Sequence, residues 1–111
     1  MATLTATQAT VQGTAINYAP AGAGGDKFGP GARRHFRVKN GGGSAITATV
    51  VVPGNTKYAQ ANPDITSASI AAGAEFCFGP FPDDLGDPAD SGLISVTYSG
   101  VTSVTVVVVD V

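Results

Sequence analysis

Apolar and polar positions alternate with a period of two through much of this chain. The alternation is clearest over residues 34–40, where Phe36 and Val38 fall on one side and His35, Arg37 and Lys39 on the other. A period of two is that of a half-buried strand. The same reading predicts strands at 3–11, with Leu4 and Ala6 against Thr3, Thr5 and Thr7, and at 15–19, with Ile16 and Tyr18 on one face. Further strands are expected at 45–52 (Ile46, Ala48, Val50 and Val52 inward), 65–70, 75–78 (Phe76 and Phe78 one way, Cys77 the other), 93–99 and 101–111. Turn signals separate them: Gly13, Asn40-Gly41-Gly42-Gly43, Pro53-Gly54-Asn55, Gly73, Gly79-Pro80-Phe81-Pro82 and Ser99-Gly100. Residues 58–64 read as a connector crossing between sheets. Residues 20–32, with five glycines, and 83–92 read as loops.

No window of a dozen residues carries the helical spacing without a glycine or proline in it. Seven or eight short strands at this spacing predict an all-β fold, a single β-sandwich domain over residues 1–111. An immunoglobulin-like arrangement is expected, with a jelly roll as the alternative. Residues 1–9, weakly apolar and rich in threonine, are an edge strand or an arm that orders only against a neighbour.

The last strand departs from the pattern. Val104, Val106 and Val108 occupy one face, and Val107, Val109 and Val111 the other. An apolar strand must be covered on both faces. Either it is a central strand covered within the chain, or Val107 and Val109 face another subunit or the N-terminal arm.

Composition narrows the classes. Alanine, glycine, threonine and valine supply 57 of 111 residues, and only 13% are charged, about half the usual share. A coiled coil and a long charged disordered segment are both excluded. The net charge of −2 gives no global pull toward nucleic acid or an anionic membrane. The one cysteine, Cys77, cannot close an intrachain disulfide, fill a four-thiolate zinc site or form a CxxC pair. It is expected as a small buried hydrophobe on an aromatic-flanked strand. The first ten residues lack the basic start and apolar run of a secretory signal, and the longest aliphatic run, 106–109, cannot span a bilayer. A protein made in a reducing cytoplasm, with no cofactor, is the expectation.

The few charges are segregated. Lys27, Arg33, Arg34, Arg37 and Lys39 place five of six basic residues within thirteen positions, and Asp83, Asp84, Asp87 and Asp90 place four of eight acids within eight. Such clusters either meet each other inside one molecule or face a partner of opposite charge, which a second copy of the chain would itself supply. These nine residues, with Val107 and Val109, are the candidate interface residues. The acidic loop has oxygen donors enough for calcium but lacks the order of an EF-hand, so no metal is expected. His35 has no nucleophile elbow to work with, and Gly22-Ala23-Gly24-Gly25 is followed by no Lys-Ser/Thr pair. No catalytic residue and no nucleic-acid partner are therefore expected.

Three segments carry a resemblance: RVKNGGGSAIT at 37–47, Ala72-Gly73 leading to FGPFP at 78–82, and ISVTYSGVTSVTV at 94–106. They are similar to small virion proteins of tailed phages that infect actinobacteria, and they cover the chain from about residue 36 onward. The resemblance implies a structural part encoded among head and tail genes, a minor capsid or capsid decoration protein located in the virion. It also implies an immunoglobulin-like or related sandwich on the capsid exterior. The expected partners are then the major capsid protein or another virion protein, together with further copies of the chain, and no membrane. A tail or head–tail connector protein is the alternative within the virion. A carbohydrate or cell-surface binding module is the alternative of another class, and Phe28 and Phe81 would be its loop aromatics.

Overall fold

The computed structural model describes residues 2–54 and 57–110; Asn55 of the predicted turn and Val111 of the last strand lie outside the described residues. The described chain forms β1 (Ala2–Thr3), β2 (Thr7–Gln8), β3 (Ala19–Pro20), β4 (Asp26–Phe28), β5 (Arg34–Asn40), β6 (Ala48–Val51), β7 (Ile65–Thr66), β8 (Glu75–Phe78), β9 (Ile94–Tyr98) and β10 (Val104–Asp110). Two 3₁₀ turns, Asp83–Leu85 and Pro88–Asp90, stand between β8 and β9. The strands make two sheets, in the orders β1-β4-β9-β6-β7 and β2-β10-β5-β8, with β3 also on β10. They pack face to face as an all-β sandwich.

The two longest strands, of seven residues each, are β5, which alternates apolar and polar positions, and β10, which is apolar on both faces. β5 and β10 run antiparallel over seven residue pairs, from Val104 beside Asn40 to Asp110 beside Arg34. One face of each sheet supplies the core: Phe36 and Val38 of β5 and Val104, Val106 and Val108 of β10 against Phe28, Ala48, Val50, Ile94 and Val96. Phe28 stacks on Phe36 at 5.1 Å between ring centroids, and Phe81 meets Phe28 edge-on at 4.9 Å. Each such ring contributes about 1.5–3 kcal/mol by leaving water. Buried Asn40 holds the loop after β5: Nδ2 donates to the carbonyls of Ser44 and Ile70, and Oδ1 accepts from Gly42 N–H. A Cβ on Gly42 would lie 2.6 Å from the Thr102 carbonyl, so this approach requires glycine.

Several sequence expectations need correction. Residues 20–32 are not one loop, for they contain β4 with Phe28 fully buried. The expected strand at 3–11 is two short strands on different sheets. β1 runs parallel to β4, and β2 runs parallel to β10. The N-terminal segment is thus an edge strand shared between the sheets. Of the expected strand at 15–19 only Ala19 pairs, together with Pro20 of the expected loop, and Ile16 is 39% exposed. The strand at 65–70 is reduced to β7 and a bridge between Ile70 and Ile46.

Because residues 4–6 alone join β1 to β2, the outer ends of both sheets lie together on one lateral side, and β7 and β8 end the sheets on the other.

Candidate interaction surface

The outer face of the β2-β10-β5-β8 sheet is built by strand register. Continuing the Ala19–Val106 pairing places Tyr18 beside Val107, which has Arg37 opposite it on β5, and Arg37 in turn has Cys77 opposite it on β8. Thr7 and His35 flank Val109 in the same way. These side chains cover the second apolar face of β10, and Val107 and Val109 are each only 5% exposed. The two valines are covered within one chain and need no second subunit; the long Tyr18 and Arg37 side chains lie along the apolar row with their polar ends free to bond.

Those polar ends converge. The Tyr18 hydroxyl donates to the Glu75 carboxylate, and Lys39 Nζ sits 5.9 Å from the centre of the Tyr18 ring. The hydrogen bond to Glu75 raises the Tyr18 pKa, burial adds to the rise, and Arg37 opposes it. Cys77 stands on this face and is exposed, contrary to the expectation of a buried thiol. Phe76 and Phe78 take the inward positions of β8, so the residue between them must point out.

The two charge clusters are partly spent inside the molecule. Lys27 of β4 pairs with Asp90, joining the basic and acidic segments. Arg34 is engaged elsewhere: Nε and Nη2 donate to the two carboxylate oxygens of Asp110 at 2.7 and 3.0 Å, and Nη1 donates to the Gly29 carbonyl at 2.8 Å. This fork pairing raises the Arg34 pKa and lowers that of Asp110. Asp87 accepts from Ala89 N–H and caps its own 3₁₀ turn. Arg33, Asp83 and Asp84 are exposed and make no side-chain hydrogen bond or ion pair among the described residues. Gly31 and Phe81 exchange backbone hydrogen bonds, so the segments carrying these free charges are held at the same end of the sandwich. A surface cavity of about 460 Å³ opens there, lined by Arg33, His35, Cys77, Gly79 and Pro80 among others.

A comparison with family models, curated proteins and solved structures found no match to this chain. No group of three metal-ligating side chains occurs among the described residues.

One polar site escaped sequence reading. Asp26, fully buried on β4, accepts through Oδ2 from the Tyr98 hydroxyl at 2.7 Å and from Gly22 N–H at 3.1 Å. Its Oδ1 is buried without a hydrogen-bond partner among the described residues. Burial raises the Tyr98 pKa well above the usual tyrosine range, and the bond to Asp26 adds to the rise. The available signal was Tyr98 itself, since alternation with Val96 points its hydroxyl inward, where it must find an acceptor.

Phe28 and Phe81, the aromatics on which a carbohydrate-binding reading relied, are both buried.

Proposed function

We propose that this chain is a non-enzymatic structural protein of a phage virion. It is an immunoglobulin-like capsid decoration or minor capsid protein that binds and reinforces the head shell. The observation that carries this reading is the residue of charge left after the internal pairs are made. Arg33 on one side, and Asp83 and Asp84 on the other, stand free on two bridged segments at one end of a sandwich. Free charges of both signs on a rigid frame set the register of a docked partner and contribute less to its affinity. The resemblance of residues 37–47, 72–82 and 94–106 to virion proteins supports the assignment to a particle. Repeated copies on a shell turn modest contacts into firm attachment.

The test is presence and position. Mass spectrometry of purified particles should find the chain in many copies, and imaging should place it on the head. A location on the tail or at the head–tail junction would favour the connector reading, and absence from particles would remove both. Binding of purified protein to particles lacking it should fall about tenfold, ~1.4 kcal/mol, for Arg33→Glu or for Asp83→Lys with Asp84→Lys, and the loss should shrink at high salt. Unchanged binding would make these residues ordinary surface.

A further inference from the structure

β8 ends its sheet, and the turn before it decides which of its backbone groups face outward. Asn40 N–H donates to the Ala74 carbonyl at 2.9 Å, and Gly73 N–H donates to the Asn40 carbonyl at 2.6 Å, with Gly73 at φ +82°. That is a G1 bulge. Beyond it, hydrogen-bonded pairs fall on every second residue, Phe76 with Val38 and Phe78 with Phe36. The parity agrees with the far edge of β5, where Gly41 N–H donates to the Ser103 carbonyl. The N–H and C=O groups of Glu75 and Cys77 therefore point away from the sheet, and no described residue pairs with them.

Apolar groups line the same side. Phe76 faces the layer between the sheets, opposite buried Val38, but is only part-buried itself. Ile65 shares a face with buried Val50 and is 53% exposed.

We propose that β8 joins two copies of this chain, antiparallel across a two-fold axis at Phe76. In this register Glu75 lies opposite Cys77 of the second copy, and Cys77 opposite its Glu75. Both outward residues of each copy then exchange both of their bonds, giving four new hydrogen bonds and one continuous sheet. Phe76 meets its counterpart on the axis in a non-hydrogen-bonded pair, where side chains approach most closely. Glu75 enters the row that holds Arg37 of the second copy, so opposite charges are brought together and no like charges face each other across the strands. Moving the axis to Cys77 would set Glu75 opposite Gly79, whose φ of +136° and following proline end the strand. A second copy thus supplies, from the same four residues, the backbone groups, a phenyl ring for Phe76 and a cation for Glu75.

Sedimentation of the full chain should show a species of twice the chain mass that dissociates on dilution. Phe76→Lys sets two cations on the axis and should abolish it. Cys77→Pro removes an outward N–H while sparing the bonds to β5, and should also abolish it, with the β spectrum and melting transition retained. Should either variant fail to fold, the register is read by cross-linking. Glu75→Cys places a thiol opposite Cys77 of the second copy at about 5.5 Å between Cα atoms, within disulfide reach. Diamide should convert this variant to a covalent dimer on a non-reducing gel and leave the wild-type chain, whose Cys77 thiols are two residues out of register, uncrosslinked. A wild-type chain monomeric at every concentration would overturn the proposal. So would a dimer that survives both Phe76→Lys and Cys77→Pro, or wild-type cross-linking as fast as that of Glu75→Cys.

Discussion

On one lateral side of the sandwich a single segment pairs with both sheets, through Ala2–Thr3 on β4 and Thr7–Gln8 on β10, while Leu4 and Ala6 between them pack on the core. On the other side β7 and β8 end their sheets separately, and Ile65 and Phe76 are left incompletely covered. The closing segment is the weaker β-former, mostly threonine and alanine, and the open edge, Glu-Phe-Cys-Phe, is the stronger. Closure here depends on topology more than on side-chain propensity. Backbone groups supply the bonds, and the segment needs only one or two small apolar side chains to fit beneath it.

This contrast can be broken or sharpened by measurement. Phe28→Ala, in the aromatic cluster on which both sides rest, sets the upper scale. It should cost about 3–5 kcal/mol in urea or thermal unfolding. Leu4→Ala, on the closed side, should cost about 2 kcal/mol; a change near zero would mean the segment closes nothing. Tyr98→Phe removes the hydroxyl donor from Asp26, the residue beside Ala2 in the register, and should cost about 1–3 kcal/mol. Because the folded pKa of Tyr98 is raised above its unfolded value near 10, the stability it confers is complete below about pH 10 and is lost as pH rises further. The Tyr98→Phe variant should therefore lose less stability than wild type between neutral and strongly alkaline pH.

Asp110, beside Gln8 on the closed side, is the opposite case. Its folded pKa lies below the unfolded value of about 3.9, so its contribution is complete above that value and is lost as pH falls through the folded one. Asp110→Asn should cost ~1 kcal/mol at pH 7 and flatten the acid limb of the stability profile. Ile65→Thr, on the open side, should change monomer stability by less than about 0.5 kcal/mol. A loss as large as that of Leu4→Ala would show that the open side is closed after all.

The parts of this architecture that could be read from sequence are those where burial imposes a period. β5, with Phe36 and Val38 inward, and β8, with Phe76 and Phe78 inward, have the expected bounds, because alternate apolar positions admit only one face toward the core. β4 stayed hidden because three residues are too few to show a period and glycines flank them on both sides. Phe28 reads as a loop residue for that reason, and Phe81 because prolines flank it, although together with Phe36 they form the centre of the core. Residue type favours a buried Cys77, but its position between two inward phenylalanines places it outside, and position decides. Of the candidate interface residues, Lys27 and Asp90 meet as one of the two readings of the clusters expects. The partner of Arg34 is instead Asp110, an acid outside the acidic cluster, brought beside it by the β5–β10 register over 76 residues of sequence. Long-range register of this kind leaves no local trace in the chain.

The parallel pairing of β2 with β10 has a consequence for synthesis. β1 can dock once β4 has left the ribosome, but Thr7 and Gln8 must wait for Val109 and Asp110, so the second half of closure comes only once the last strand, β10, has been made.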